Sequence, residues 1–322
     1  MNSVELSIIV ISYNTREMTL ACLRSVFNET RETSFELIVF DNASLDGSAD
    51  AIRAEFGNRI RFIASQANLG FAVANNRAAE EARGKYFLLL NPDTVVLDRA
   101  IDRLIAFART YSGAGIWGGR TLFSDGRLNP ASCWSRQSVW SLFCQAAGLS
   151  SLFRRSSVFN PEAIGGWDRS GLREVDIVAG CFLLLRRELW QTLQGFREIF
   201  FMYGEEADLC LRAREIGARP IVTSAATIIH YGGASERVHA DKLVRLLTAK
   251  MLLVHLHFSS AKQVAKWLLA MWPISRYWAH AMLSCFGRKA SVEKHQLWRE
   301  VVQRHGEWNG EAILKIGDVH YD

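Results

Sequence analysis

Apolar and polar positions alternate in blocks along residues 1–120, and the blocks read as strands and helices in turn. Apolar runs at Leu6–Ser12, Glu36–Phe40, Ile60–Ala64 and Tyr86–Leu90 have the length of strands rather than helices. Between them, Arg16–Phe27 carries Met18, Cys22 and Val26 on one helical face, and Ser48–Phe56 and Gly70–Arg83 also have helical spacing. Tyr86–Leu90 is apolar at every position, the pattern of a strand buried on both faces. The order predicts an α/β fold with a mostly parallel, right-handed, doubly wound central sheet and helices on both faces. A helix over Asp98–Tyr111 and a strand-like Gly115–Gly119 continue the series.

From Arg120 to Arg173 the periodicity breaks down, as expected of a long insertion or lid that selects substrates. Regularity returns in Val175–Leu185, interrupted by Gly180, in a helix over Glu205–Ile216 and in a strand over Ile221–Ile229. That last strand runs into His230 ahead of Gly232-Gly233. The tail from Val238 onward has a helical pattern, with Lys and Arg recurring too often for a spanning helix of about 18–20 apolar residues. Its Lys, Arg and Trp interleaved with Leu and Met fit helices lying in a membrane interface, or a helical subdomain packed on the sheet.

Composition adds a contrast between body and tail. A hydrophobic content of 49% and a charged content of 22% describe an ordinary globular chain of 322 residues. Of its net charge of +5, the residues after Glu236 carry 13 Lys/Arg against 7 Asp/Glu, which leaves the body close to neutral. The six Cys form no Cys-x-x-Cys pair and suit reduced thiols in a cytoplasmic protein. Met1–Ser7 has no basic leader, and Leu6–Ile11 reads as a strand rather than a signal segment. The basic excess lies in the amphipathic tail without a recognition motif, so nucleic acid is not an expected partner.

Gly113-Ala-Gly115-Ile-Trp-Gly118 matches GxGxxG, but a helix precedes it and none follows. The dinucleotide fingerprint needs a strand before it and a helix N-terminus after it. The stronger signal is a set of polar groups at successive strand ends. Ser12-Tyr13-Asn14 follows the first strand, Asp41-Asn42 the second, Asn68-Leu69-Gly70 the third, and Asn91-Pro92-Asp93 the fourth. In a parallel sheet these ends share one edge, where ligands bind. Asp93 offers hard oxygen to Mg²⁺ or Mn²⁺ carried by a substrate phosphate. Glu205, Glu206 and Asp208 open a helix behind aromatic residues, and one of these carboxylates is a candidate general base. Arg212, four residues after Asp208, is expected to pair with it. His230 suits a neutral metal ligand or a diphosphate donor.

The ordered set Ser-Ile-Ile-Val-Ile-Ser-Tyr-Asn14, Val-Phe-Asp-Asn-Ala-Ser44, Asn68-Leu-Gly-Phe71 with Asn75-Asn76, Leu-Leu-Leu-Asn-Pro-Asp93 and Phe-Met-Tyr-Gly-Glu-Glu-Ala-Asp-Leu-Cys-Leu-Arg212 resembles the family 2 inverting glycosyltransferases of GT-A fold. Its closest look is to the bacterial rhamnosyltransferase-like branch, and the resemblance covers about residues 5–236. It implies that Asp41 holds the nucleotide base beside Tyr13, that Asp93 binds the metal, and that His230 lies near the diphosphate. It also places Ser12, Asn14, Asn42, Asn68, Gly70, Asn75 and Asn91 among the nucleotide-sugar-binding positions. The family's Glu-Asp pair, whose second member is the base, falls on Glu205-Glu206, so this chain carries the longer carboxylate.

The resemblance further implies a nucleotide-binding half over 1–120 and an acceptor half over 121–236, and charge and pattern set apart a basic helical region over 237–322. The expected donor is a dTDP-deoxyhexose, with UDP-sugars second. The expected acceptor is a glycan or polyprenyl-linked glycan, met at the inner face of the plasma membrane. Two alternatives stand beside this reading. A sugar-1-phosphate nucleotidyltransferase shares such a sheet but carries a Gly-rich basic phosphate loop, which Ser12-Tyr13-Asn14-Thr15-Arg16 lacks. A non-catalytic nucleotide-sugar-binding scaffold is the other.

Overall fold

A computed structural model describes residues 4–232, 239–285 and 289–309. The expected boundary at 236/237 and Gly233 fall outside these residues. The chain divides into two units: Met1–Trp134, Asp168–Phe201 and Glu205–Ser235 form one, and Ser135–Trp167, Met202–Gly204 and Glu236–Asp322 the other. The segment without readable periodicity is thus shared between them.

The first unit begins with β1 (Leu6–Ser12), α1 (Arg16–Glu29), β2 (Phe35–Asp41), α2 (Ser48–Phe56), β3 (Arg61–Ala64), α3 (Gly70–Glu80) and β4 (Tyr86–Leu90). It continues through β5 (Thr94–Val96), α4 (Ala100–Thr110), β6 (Ile116–Leu122), β7 (Leu128–Asn129) and β8 (Cys133–Trp134). The excursion into the second unit carries α5 (Val139–Ala146) and α6 (Leu149–Leu152). The chain returns with β9 (Leu172–Glu174), β10 (Ile177–Val178), β11 (Phe182–Arg186), α7 (Arg187–Thr192), α8 (Glu205–Glu215) and β12 (Ile221–His230). The run Val175–Leu185, expected as one segment broken at Gly180, is two strands in different sheets.

The main sheet has the order β3-β2-β1-β4-β11-β6-β12-β5. β1, β2, β3 and β4 are parallel, as the alternation predicts. β11 inserts antiparallel between β4 and β6, while β12 runs parallel to β6. All five residues of β4 are buried because both neighbours and both faces are covered. On one face Leu6, Ile8 and Val10 pack with Leu20, Leu23 and Val26 of α1 and Ile101, Leu104 and Ile105 of α4. On the other, α3 lies against β1 and β2, and Phe87 meets Trp190 of α7 edge-on at 6.1 Å. The strand order reverses between β1 and β4, so a crevice is expected beyond their carboxyl ends.

One buried carboxylate that the hydrophobic pattern conceals ties this unit together. Asp102 of α4 accepts backbone N–H groups from Arg31, Glu32 and Thr33, and Arg99 approaches it to 3.3 Å. Burial works against its charge, but these donors outweigh it and hold the carboxyl below its usual range.

In the second unit, α9 (His239–His257), α10 (Lys262–Cys285), α11 (Lys289–Gln303) and α12 (His305–Trp308) pack together with α5. Trp272 and Trp298 meet edge-on at 5.6 Å, Lys250 pairs with Glu162, and Arg304 bonds Asp241 at 2.5 Å. No helix among the described residues is long and apolar enough to cross a membrane.

Candidate active site

Strand register brings the sequence-expected groups to one edge of the main sheet. Ser12 lies opposite Asp41, and Asp41 opposite Ala64, so β1, β2 and β3 end level with one another. β4 pairs with β1 as far as Ile9–Leu89 and then releases Asn91-Pro92-Asp93 at the same edge.

Strand β5 accounts for the placement of Asp93. It pairs antiparallel with β12 and sets Thr94 opposite His230. Asp93 is buried; its carbonyl accepts the Tyr231 N–H at 3.0 Å and its Oδ2 the Gly232 N–H at 3.0 Å. Its Oδ1 lies 3.4 Å from His230 Nε2. Burial opposes a charge on His230, but Cys181 and Asp93 outweigh it and push the imidazole up to about 11. In this state the ring is a proton donor to an anion, and it must lose that proton before Nε2 can ligate a metal.

The nucleotide side of the edge has a different character. Asp41 is buried, with Oδ2 accepting the Ser44 N–H at 3.0 Å and Oδ1 left without a hydrogen bond. A buried carboxylate oxygen without a donor is costly and suits a ligand N–H. Asn14, at φ 52°, accepts the Leu45 N–H at 2.7 Å through Oδ1 and fastens the loop after β1 to that after β2. Tyr13 between them is half-buried.

Several expected binding residues also bond within the framework. Ser12 bonds Thr19 at 3.1 Å. Asn42 donates to Asn68 Oδ1 and the Gly70 carbonyl and accepts the Leu69 N–H, so both its N–H groups and its oxygen are engaged inside the protein. Asn68 also accepts the Gly70 N–H at 3.0 Å. Asn75 donates to the Phe71 carbonyl at 2.9 Å while its buried Oδ1 makes no hydrogen bond. Asn91 likewise keeps a buried Oδ1 without a hydrogen bond, and its N–H reaches the Cys181 carbonyl at 3.2 Å.

The start of α3 holds the segment that leads to α8. Gly70 has φ +79°, and a Cβ there would stand 2.4 Å from the Phe201 carbonyl oxygen. Phe71 N–H donates to that oxygen at 2.7 Å. Asn76 clasps Phe196, donating to its carbonyl and accepting its N–H, both at 2.9 Å. Nothing local in the sequence marks this role of Asn76, since its partner is 120 residues away. Asp208 pairs with Arg212 at 2.7 Å, as the four-residue spacing predicts, and also with Arg197 at 2.9 Å.

The acidic pair at the start of α8 is divided by its surroundings. Glu205 is 4% exposed and its Oε2 makes no hydrogen bond. Burial, and then the neighbouring Glu206 carboxylate, raise its pKa well above the usual range. Glu206 is half-buried and borders Gly180. A Cβ on Gly180 would touch Glu206 Cβ at 3.6 Å and the Phe71 ring at 3.7 Å. The next residue is Cys181, which bonds Asn91 and neighbours His230, so Glu206 and the Asp93–His230 pair flank one short stretch of chain.

Among the described residues no group of three or more His, Cys, Asp or Glu could hold a metal ion. At this edge Asp93 and, in its neutral form, His230 are the candidate protein ligands. Such a sparse set, with the unbonded Asn91 oxygen near it in sequence, fits Mg²⁺ or Mn²⁺ whose remaining ligands are substrate phosphate and water.

Known proteins resemble this chain in sequence and in fold. The chain is 26% identical over 221 residues to the N-acetylglucosaminyl-diphospho-decaprenol L-rhamnosyltransferase of Mycobacterium tuberculosis, covering 62% of this chain and 67% of the relative. It is 26% identical over 244 residues to the O-antigen biosynthesis protein RfbC of Myxococcus xanthus, covering 73% of this chain. The chain spans only 18% of RfbC and 25% of a similar Sinorhizobium fredii protein, y4gI. Among solved structures, the mannosyltransferase PcManGT of Pyrobaculum calidifontis, in complex with GDP-Man and Mn²⁺, aligns with TM-score 0.57 at 16% identity, over 92% of this chain and 85% of that one. S. aureus TarS 1–349 with UDP-GlcNAc aligns with TM-score 0.53 at 16% identity, over 97% and 83%. The fold is thus that of the GT-A glycosyltransferases, as the strand and helix order led us to expect. The glycosyl transferase family 2 pattern matches residues 7–191, more than half of the chain, and the protein belongs to that family.

Proposed function

We propose that the chain is an inverting glycosyltransferase of bacterial surface polysaccharide synthesis. It moves rhamnose or another deoxyhexose from a dTDP-sugar, or in second place a sugar from a UDP-sugar, to a hydroxyl of a glycan or polyprenyl-linked glycan. The reaction takes place at the inner face of the plasma membrane. The observation that carries this reading is the convergence, at one sheet edge, of an unsatisfied Asp41 oxygen, the Asp93–His230 pair and Glu206. The similarity to a decaprenol-linked rhamnosyltransferase supports the choice of donor and acceptor class.

Asp41 Oδ1 accepts a base N–H and orients the nucleotide. His230, protonated, donates to the diphosphate, and Asp93 would hold a divalent ion, with His230 joining it as a ligand only in its neutral form. Held there, Mg²⁺ or Mn²⁺ would supply positive charge to the leaving diphosphate. Glu206 takes the proton of the acceptor hydroxyl, whose oxygen attacks the anomeric carbon opposite the departing diphosphate. The bond to the diphosphate breaks as the new glycosidic bond forms, and the configuration inverts. Burial and the neighbouring Glu206 carboxylate disfavour a charge on Glu205, which leaves Glu206 as the base.

The test is a thermal-shift screen of nucleotide sugars with Mn²⁺ or Mg²⁺, where a ligand at 100 times its Kd adds about 2.7 kcal/mol of stability. The best donor then goes into a transfer assay with Asp93→Ala alongside, which should lower turnover by about 10² or more. Release of pyrophosphate instead of nucleoside diphosphate, or a product of retained configuration, would overturn the reading.

A further inference from the structure

Helix α10 presents its apolar side to the outside. At about 100° per residue, Val264, Trp267, Met271, Trp278 and Met282 fall on one face of Lys262–Cys285. Trp267, Trp278 and Met282 are 62%, 61% and 67% exposed. No charged residue lies in this sector. Lys266 and Arg276 occupy the other half, where Lys266 Nζ approaches His255 Nδ1 at 3.4 Å and Arg276 donates to Ser151 Oγ at 2.8 Å. A helix facing water has the opposite arrangement, with charges outward and its apolar stripe on the core.

The surroundings specify what covers this face. Between Asp241 and Glu293 there is no Asp or Glu, against eight Lys or Arg. Ser151, joined to α10 through Arg276, begins an exposed stretch in which Leu152 and Phe153 precede Arg154 and Arg155. A symmetric contact with a second copy of the chain through this patch would bring the Arg154-Arg155 pairs of both copies into one interface. An anionic lipid surface instead complements them, at about 1 kcal/mol for each Lys or Arg near it. Trp is suited to the boundary between acyl chains and headgroups. Since no described helix is long and apolar enough to span, the face fits a helix lying in the plane of the interface.

We propose that the outward face of α10, together with Leu152–Arg155, is a docking surface for a bilayer containing anionic phospholipid, with Trp267 and Trp278 seated at the acyl–headgroup boundary. Its use in catalysis rests on the lipid-linked acceptor proposed above, but the binding itself needs neither donor nor acceptor. A failure here and a failure of that reading are therefore distinguishable.

The full chain is mixed at low salt with phosphatidylcholine vesicles, with and without phosphatidylglycerol, and bound protein is measured by sedimentation. Tryptophan quenching by brominated acyl chains reports depth. Wild-type protein should bind the phosphatidylglycerol vesicles and be quenched. Trp267→Ala/Trp278→Ala should lower partitioning by roughly tenfold or more and remove most of the quenching. Met282→Glu, a single exposed change, should release the protein likewise. Arg154→Ala/Arg155→Ala should weaken binding by about fivefold per charge, with the effect confined to anionic vesicles. Thermal unfolding and turnover on a water-soluble acceptor should match wild type in all of them. The proposal is overturned if wild-type protein stays free of anionic vesicles, or if the Trp and Met variants bind undiminished. It is also overturned if the protein is a dimer that these variants dissociate, which would make a second copy the occupant.

Discussion

Replacing Glu205 by Gln is expected to stabilise the protein at neutral pH, whereas Glu206→Gln is expected to remove most turnover. Two effects compete at Glu205. The N-terminus of α8 favours an anion by about 0.3–1 kcal/mol, while burial of an unpaired carboxylate costs several kcal/mol. With the side chain 4% exposed and Oε2 unbonded, burial wins and the folded pKa is raised. In the unfolded chain a Glu ionises near about 4.3. Between that value and the higher folded one, the folded state keeps a proton that the unfolded chain has released, so stability falls as pH rises. The loss is about 1.4 kcal/mol for each unit separating the two values, and it is complete above the folded pKa. Gln has the same shape and never ionises, so it removes this loss. Calorimetry of Glu205→Gln should show Tm raised at about pH 8, by roughly 2–4 °C per kcal/mol recovered. The gain should vanish below about pH 4, where the wild-type carboxyl is protonated in both states. A variant less stable than wild type at the higher pH, or an equal difference at both, would show that Glu205 is ionised and paired. In the transfer assay Glu206→Gln should lower kcat by about 10²–10⁴, the usual worth of a general base, with donor affinity unchanged. Glu205→Gln should cost far less, and the reverse ranking would refute the assignment of the base.

Asp41→Asn presents an amide where Oδ1 has no donor, and it should raise the donor KM by roughly tenfold to a hundredfold with little change in kcat. Titration calorimetry with the nucleoside diphosphate checks this, and unchanged affinity would place the base elsewhere. Gly70→Ala forces a side chain into φ +79° and a Cβ to 2.4 Å from the Phe201 carbonyl. It should destabilise the protein by about 1–3 kcal/mol, read as a lower denaturant midpoint. A midpoint equal to wild type would mean that the α3 contact with Phe201 is dispensable.

Much of the architecture was legible from local pattern. The helix over Ser48–Phe56 and the strand over Tyr86–Leu90 end where their periodicity ends. Other boundaries moved by a few residues, such as α3, which stops at Glu80 rather than Arg83. Strand β5 was hidden because Thr94–Val96 is three residues long and its partner, β12, is more than a hundred residues away. The division of Val175–Leu185 between two sheets was hidden for the same reason, since a continuous apolar run does not name its neighbours. Asp102 went unnoticed because one acid in an amphipathic helix looks like any solvent-facing residue, yet it receives three backbone N–H groups.

The sequence alone determined the alternation of elements, the parallel first half of the sheet and the chemistry gathered at its carboxyl edge. These depend on short-range periodicity and on the rule that parallel strands end on one side. The tertiary structure decided the rest. Antiparallel pairing of β5 with β12 brought His230 to Asp93, and burial separated Glu205 from Glu206, which local pattern alone does not distinguish. Packing also spent Asn42 on the framework while leaving an Asp41 oxygen unbonded. Periodicity reports which face of a segment is apolar. Only long-range packing decides which groups lose water, which find partners, and whether an apolar face such as that of α10 turns inward or outward.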